Sequence, residues 1–248
     1  MGIAYGPTQN WIYNTPQGIQ YQIDNKFYVT DGLVLDLDAA NSLSYPGTGN
    51  IWTDLSGNGN NGTLTNGPTY SSNNLGSIVF DGVNDYVSVS PTSINSNITN
   101  SITLNCWVKV NSTSYQVIGG GQDSAGVRYT ASFNSNASLN TYGFDLESTS
   151  GQVRLESSSN SLILNSWVNL VGTYDGSTAK FYLNNSLVDT DNGTSGNIVD
   201  FDNIIFGMDI SSLRYLNGNI AQVQIYNRAL TQQEVQINFN IFKGRYGL

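Results

Sequence analysis

From Gly32 onward the chain is built almost wholly from short apolar runs separated by turn-forming residues. The runs are LVLDLDA from Leu33, SIVFDG from Ser77, DYVSVS from Asp85, SITLNCWVKV from Ser101 and YQVIGG from Tyr115. They continue with YGFDLE from Tyr142, SWVNLVGTYDG from Ser166, AKFYLNN from Ala179, NIIFG from Asn203 and GNIAQVQIYN from Gly218. Each has strand length, and clusters of Gly, Asn, Asp and Ser punctuate nearly every gap. Roughly a dozen strands at this spacing predict an all-β fold, a two-sheet antiparallel sandwich or jelly roll. Between Lys180 and Val188 the pattern predicts a hairpin turning at Asn184 and Asn185, residues that tolerate positive φ.

One short helix is expected near the C-terminus. Thr231, Gln232, Gln233 and Glu234 fit a capping box, in which the Thr hydroxyl and the Glu carboxylate satisfy free amides reciprocally. The helix would run to about Phe242, stop at Gly244, and bury Leu230, Val235, Phe239 and Phe242. Residues 1–31 read differently. Pro7, Pro16 and the rings of Trp11, Tyr13, Tyr21, Phe27 and Tyr28 stand among Asn and Gln. We read this segment as an arm, packed either on its own domain or on a neighbouring subunit, and residues 32–248 as one domain with its helix and tail. The closing GRYGL can tuck into a groove of its own domain or of a neighbour.

Composition excludes several classes of function. Only 11% of residues are charged and the formal net charge is −9. An acidic chain without a basic stripe repels phosphate backbones and anionic lipid, and no apolar run approaches the ~20 residues of a membrane helix. No nucleic-acid or membrane partner is expected. The chain has no histidine, which removes Ser-His and Cys-His catalysis and the commonest nitrogen ligand of zinc. Cys106, the single cysteine, lies within ITLNCWVKV and reads as a small buried hydrophobe. MGIAYGPTQNW has neither the basic start nor the apolar stretch of a signal peptide. Synthesis and folding in a host cytoplasm are therefore expected, whatever the final location.

The opening LVLDLDAAN, then WTDLSGNGNNG, SIVFDGVNDYVSV, SITLNCWVKV, SWVNLVGTYDGSTAKFYLNNSLV and LNGNIAQVQIYNRALTQQEV follow one another in an order that carries a resemblance. Together they resemble the LamG-like jelly-roll family of the concanavalin A-like lectin/glucanase superfamily, over roughly residues 32–243. LDAANSLSYPG, DLSGNGNNGTLTNGP and NRALTQQEVQINFNIFKGRYGL are similar to LamG-like proteins of tailed bacteriophages, marine ones notably. That resemblance implies a non-enzymatic virion structural protein, a capsid decoration or a tail or fibre component. Its partners would be other virion proteins and itself, as a homo-oligomer for which a trimer suits threefold positions. The alternative is a carbohydrate-binding adhesin that recognises a host surface polysaccharide.

The stretch WTDLSGNGNNGTLTNGP from Trp52 admits three readings: a chain of tight turns, a calcium cradle or a ligand loop. In the resembled family such a loop contributes to a calcium site. Here Asp54, Gly57, Asn58 and Gly59 would supply oxygens, with Gln222 standing where an acidic residue is usual. One carboxylate implies weak binding, on the order of 10⁻⁴ to 10⁻³ M. The expectation is therefore no cofactor, with weakly bound calcium as the alternative. For sugar binding, Tyr115, Arg128, Tyr129 and Tyr142 lie in or near loops and form the candidate platform, while Trp107 and Trp167 read as core. Asp145 and Glu147 share one strand face and are the best pair for a glycosidase. Hydrolysis would need them to face a cleft with a further acid, and the E-x-D-x-x-E run of the related glucanases is absent.

Overall fold

The computed structural model describes residues 3–5, 10–15, 18–23, 26–122, 129–136, 138–209 and 214–248; before Tyr28, and at Tyr129, it describes the backbone alone. The N-terminal segment read as an arm is itself a small antiparallel meander. Its strands β1 (Ile3–Tyr5), β2 (Asn10–Thr15), β3 (Gly18–Ile23) and β4 (Lys26–Phe27) pair in chain order. Tyr28 then fastens the segment to the domain behind it, its ring 5.5 Å from that of Phe242 and its hydroxyl donating to Asp36 at 2.6 Å.

The domain itself is a sandwich of two antiparallel sheets. Its strands in chain order are β5 (Leu33–Asp38), β6 (Ile51–Trp52), β7 (Gly62–Thr65), β8 (Thr69–Ser71), β9 (Ser77–Asp81) and β10 (Tyr86–Val89). A one-turn helix α1 (Thr92–Asn95) precedes β11 (Ile102–Val110), β12 (Gln116–Gln122), β13 (Tyr129–Asn136), β14 (Thr141–Ser148) and β15 (Gly151–Glu156). The chain continues through β16 (Trp167–Tyr174), β17 (Ala179–Leu183), β18 (Ser186–Asp191), β19 (Asn203–Phe206), β20 (Asn217–Tyr226) and helix α2 (Gln232–Phe242). The front sheet runs β15-β14-β13-β12-β19-β10-β7-β6. The back sheet runs β18-β17-β16-β11-β20-β9-β8, with β5 paired to the far half of β20.

Strand β11 shows how the sequence builds this. Leu104, Cys106, Val108 and Val110 alternate toward the front sheet and join the main core. There they meet Leu64, Val87, Phe133, Phe144, Leu146 and Phe206 from the opposite sheet. Burial pushes the Cys106 thiol far above its ordinary range, which agrees with an inert hydrophobe. Gly172 of β16 lies under Phe144 of the opposite sheet; a Cβ there would sit 2.4 Å from the ring. The hairpin β17–β18 turns at Asn184 (φ 49°) and Asn185 (φ 69°), as its sequence predicts.

The intervening residues of β11 face the other way. Trp107 belongs to a second core between the back sheet and α2, with Trp167, Val171, Tyr182, Tyr226, Val235 and Phe242. Helix α2 starts with the expected capping box, Thr231 Oγ1 accepting from the Glu234 amide and Glu234 Oε2 from the Thr231 amide. Its end differs from expectation. The chain does not turn at Gly244 but tightens into a 3₁₀ turn over Lys243–Arg245, and the positive φ falls on Gly247. This carries the tail back onto its own sheet. Tyr246 stacks on Trp107 at 4.2 Å and lies 4.9 Å from Trp167, while Arg245 forms an ion pair with Asp38 at 2.9 Å. Through Arg245 and Tyr246 the tail docks on its own domain, the first of the two placements expected for it.

Candidate functional site

The Asp54 loop is settled by its hydrogen bonds. Strand β5 has β20 on one side only, and the loop takes the place of a strand on the other. Asp54 Oδ1 accepts from the Asp36 amide at 2.9 Å, and the Leu55 amide donates to the Asp36 carbonyl at 2.8 Å. Asn60 and Ser56 donate to the Val34 carbonyl, and Asn58 donates to that of Leu33. Gly57 (φ 89°) and Gly59 (φ 76°) supply the left-handed positions that let the chain double back. The Asp54 carboxylate receives four donors: the Asp36 and Ser56 amides on one oxygen, the Ser56 hydroxyl and the Asn60 amide on the other.

These residues do not fit a calcium ion. A cation needs acceptor oxygens turned toward it, and those of Asp54 are taken by donors. Asn58 presents its amide nitrogen inward. Gln222 lies on the outer face of the back sheet, where its amide nitrogen reaches Asp36 Oδ1 at 3.2 Å. Among the described residues no group of three His, Cys, Asp or Glu is placed to hold a metal. The stretch is a chain of turns that completes a sheet edge.

The other polar concentration lies on the outer face of the front sheet. In β13, Ala131 and Phe133 point into the core, so Thr130, Ser132 and Asn134 face outward. In β14, Tyr142, Phe144 and Leu146 are core, and Asp145 and Glu147 face outward with them. The register places Ser132 opposite Asp145, and Asp145 opposite Arg154 of β15. Asn134 donates to Asp145 Oδ2 at 2.5 Å and accepts from Arg154 Nη2 at 2.8 Å. Arg154 also donates through Nε to Glu156 at 2.8 Å and through Nη1 to the Tyr115 hydroxyl at 3.1 Å. Gly143, opposite Asn134, makes the crossing possible, since a Cβ there would lie 2.8 Å from Asn134 Oδ1 and 3.3 Å from Arg154 Nη2. Arg214 packs over the Tyr115 ring at 4.5 Å. Burial pushes the Asp145 carboxyl up to about 6, with Arg154 opposing the shift and Glu156 adding to it.

Of the four residues expected to form a sugar platform, the structure brings only Tyr115 to this row. Arg128 lies outside the described residues. Tyr129 opens strand β13 rather than a loop, and its side chain is not described. Tyr142 is corrected: it is 0% exposed and packs in the core, so its ring offers no face to a ligand. Trp107 and Trp167 are core residues, as read. Asn134, Ser132, Thr130, Arg154 and Glu156 are the residues that sequence reasoning missed. Their signal was present as A-x-F within YTASFNSN and V-x-L within GQVRLE, core positions alternating with polar ones. Asp145 and Glu147 do share a face, but it is a crowded one, held by Asn134 and Arg154.

A family model, Laminin_G_3 of the concanavalin A-like lectin/glucanases superfamily, matches residues 81–236, well over half of the chain. The chain belongs to that family. The matched part of this concanavalin A-like domain runs from the end of β9 into α2 and includes every residue of the front-sheet row. Comparison with curated proteins returns no match. Among solved structures the fold is similar to the binding domain of Paraclostridial Mosquitocidal Protein 1, at TM-score 0.67 and 18% identity over 85% of this chain and 52% of that one. It is also similar to the binding domain of botulinum neurotoxin DC in complex with SialylT, at TM-score 0.68 and 16% identity over 86% and 52%. A third is a structure of botulinum neurotoxin type C, whose cell entry depends on two ganglioside molecules, at TM-score 0.68 and 17% identity over 86% and 52%. The concanavalin A-like chain thus spans about half the length of these structures, and at such identity the likeness is one of fold.

Proposed function

We propose that this concanavalin A-like domain is a non-catalytic glycan-binding module that reads sugars on the outer face of its front sheet. The observation that carries this reading is the row Tyr115–Arg154–Asn134–Asp145, a planar guanidinium, an amide and a carboxyl locked together beside an aromatic ring. Fixed amide and carboxyl groups next to a ring suit hydroxyl-rich ligands, because they are oriented before binding and lose little entropy. Binding rather than hydrolysis is supported by how the acids are used. Asp145 is bound by Asn134 and faces Arg154 at 3.7 Å, and Glu156 is held by the same guanidinium. Screening the protein on a glycan array, followed by calorimetry of the hits, tests the reading. Arg154→Ala removes the group that joins the row and should weaken binding at least tenfold. A wild-type protein that binds no glycan overturns it.

A second reading, a virion structural component, is favoured by a different observation. The four-stranded N-terminal meander pairs with neither sheet of the sandwich, and its strands are suited to attach the domain to a second copy or to a particle. The two readings are compatible if the meander anchors and the sandwich binds.

A further inference from the structure

Lys and Arg number 9 in this chain against 18 Asp and Glu, yet two of the arginines meet at one ring on the rim of the front sheet. The Arg214 guanidinium carbon lies 4.5 Å from the centre of the Tyr115 ring, and that of Arg154 lies 5.8 Å from it. They come from separate stretches: Tyr115 leads into β12, Arg154 belongs to β15 and Arg214 precedes β20. The rim is open to solvent, with both arginines exposed and Tyr115 half-buried. Of the described arginines, Arg154, Arg228 and Arg245 form ion pairs. Arg214 forms none among the described residues, and its N–H groups are all unshared. Arg154 gives Nε to Glu156, one N–H of Nη1 to Tyr115 and one of Nη2 to Asn134, so each terminal nitrogen keeps a further N–H. Stacking on Tyr115 orients the first guanidinium and those three bonds orient the second, before any ligand arrives.

We infer that Arg214, with the unshared N–H groups of Arg154, forms a subsite for the carboxylate of an acidic sugar, a uronate or a sialic acid. The inference rests on the glycan-binding reading above and names the ligand class that the same site takes. A carboxylate sets two acceptor oxygens in one plane, which matches the planar guanidinium, and hydrogen bonds between charged partners are the stronger ones. The nearby acids, Glu156 and Asp145, face Arg154 at 2.8 and 3.7 Å, so the unmatched charge is that of Arg214 and a singly charged group fits it. The net charge of −9, which works against long polyanions, acts weakly on one carboxylate at the rim. At physiological salt, exposed charges more than about 8 Å away are largely screened.

The test screens wild type on an array of uronate, sialylated and neutral oligosaccharides. Calorimetry then compares each acidic hit with its carboxyl-reduced form, which keeps the ring and loses the charge. Wild type should bind the acidic form at least tenfold more tightly, and the array shows whether uronates or sialic acids supply it. Arg214→Ala should weaken binding of the acidic form about tenfold and of the reduced form far less. Its unfolding midpoint should stay level, since Arg214 holds no ion pair among the described residues. Lys109→Ala removes the same charge from the back sheet, where Lys109 packs over Trp167, and should bind the acidic form within about twofold of wild type. If the hits are neutral, if reduced forms bind as well as acidic ones, or if Arg214→Ala keeps the wild-type preference, the inference falls and the glycan reading stands. The same holds if Lys109→Ala loses as much as Arg214→Ala, because the preference is then one of net charge. If no glycan of any kind binds, the glycan reading itself falls.

Discussion

Asp36 is the residue with the most to lose from its position. Carried by β5 and buried, it accepts from the Tyr28 hydroxyl at 2.6 Å and from the Gln222 amide of β20 at 3.2 Å. Burial, and then the nearby Asp38, push its carboxyl up to about 7 from an ordinary 3.8. In the unfolded chain the group ionises near pH 4, while the folded protein keeps the proton to about 7. Its contribution to stability is therefore greatest below about pH 4 and is lost as pH rises toward 7. Asparagine at this position still accepts from Tyr28, and Gln222, whose Oε1 has no partner, needs only to turn its amide over. Asp36→Asn should raise the unfolding midpoint by several degrees at pH 8, with the advantage shrinking toward pH 4. Thermal unfolding at the two pH values checks this, and equal midpoints at pH 8 would show that the buried acid imposes no strain.

At the scale of elements, all ten apolar runs quoted from the sequence are strands, because strands buried on one face or on both show it as alternation or as a continuous apolar run. β11, buried along almost its whole length, is the clearest. β13 stayed hidden for the converse reason. Its outward residues, Thr130, Ser132 and Asn134, are small and polar, so YTASFNSN imitates the punctuation between strands. The features that make it a candidate site made it look like a loop. The Asp54 loop was ambiguous in a related way, since Asp, Asn and Gly serve cation cradles and hydrogen-bonded turns equally well, and only the direction of the Asp54 oxygens separates them. The tail was legible as something that docks, but not where, because Tyr246 meets Trp107 and Trp167 across a sheet face that the sequence does not place beside it. Cutting the chain after Lys243 should uncover both indoles, shift tryptophan emission to the red and lower the unfolding midpoint. Unchanged emission would mean that the tail does not rest there in solution.

For the whole molecule, the family assignment and the two packed sheets account for residues 33 to 226, with α2 and the tail sealing one outer face and the polar row marking the other. The virion reading is a statement about copies of this molecule. It expects native mass spectrometry to show a trimer that chelator leaves intact. A monomer would remove that reading and leave a free-standing binder. How copies could meet is constrained by the loop that runs along β5. A sheet with a bare edge can take up a foreign strand, which is the usual route to uncontrolled polymerisation. On β5 an incoming strand finds the amide and carbonyl of Asp36 and the carbonyl of Val34 already bonded. The loop works as insulation, and along this edge the sheet cannot grow by templating. Along this edge, copies can meet only through side-chain surfaces that selection shapes residue by residue.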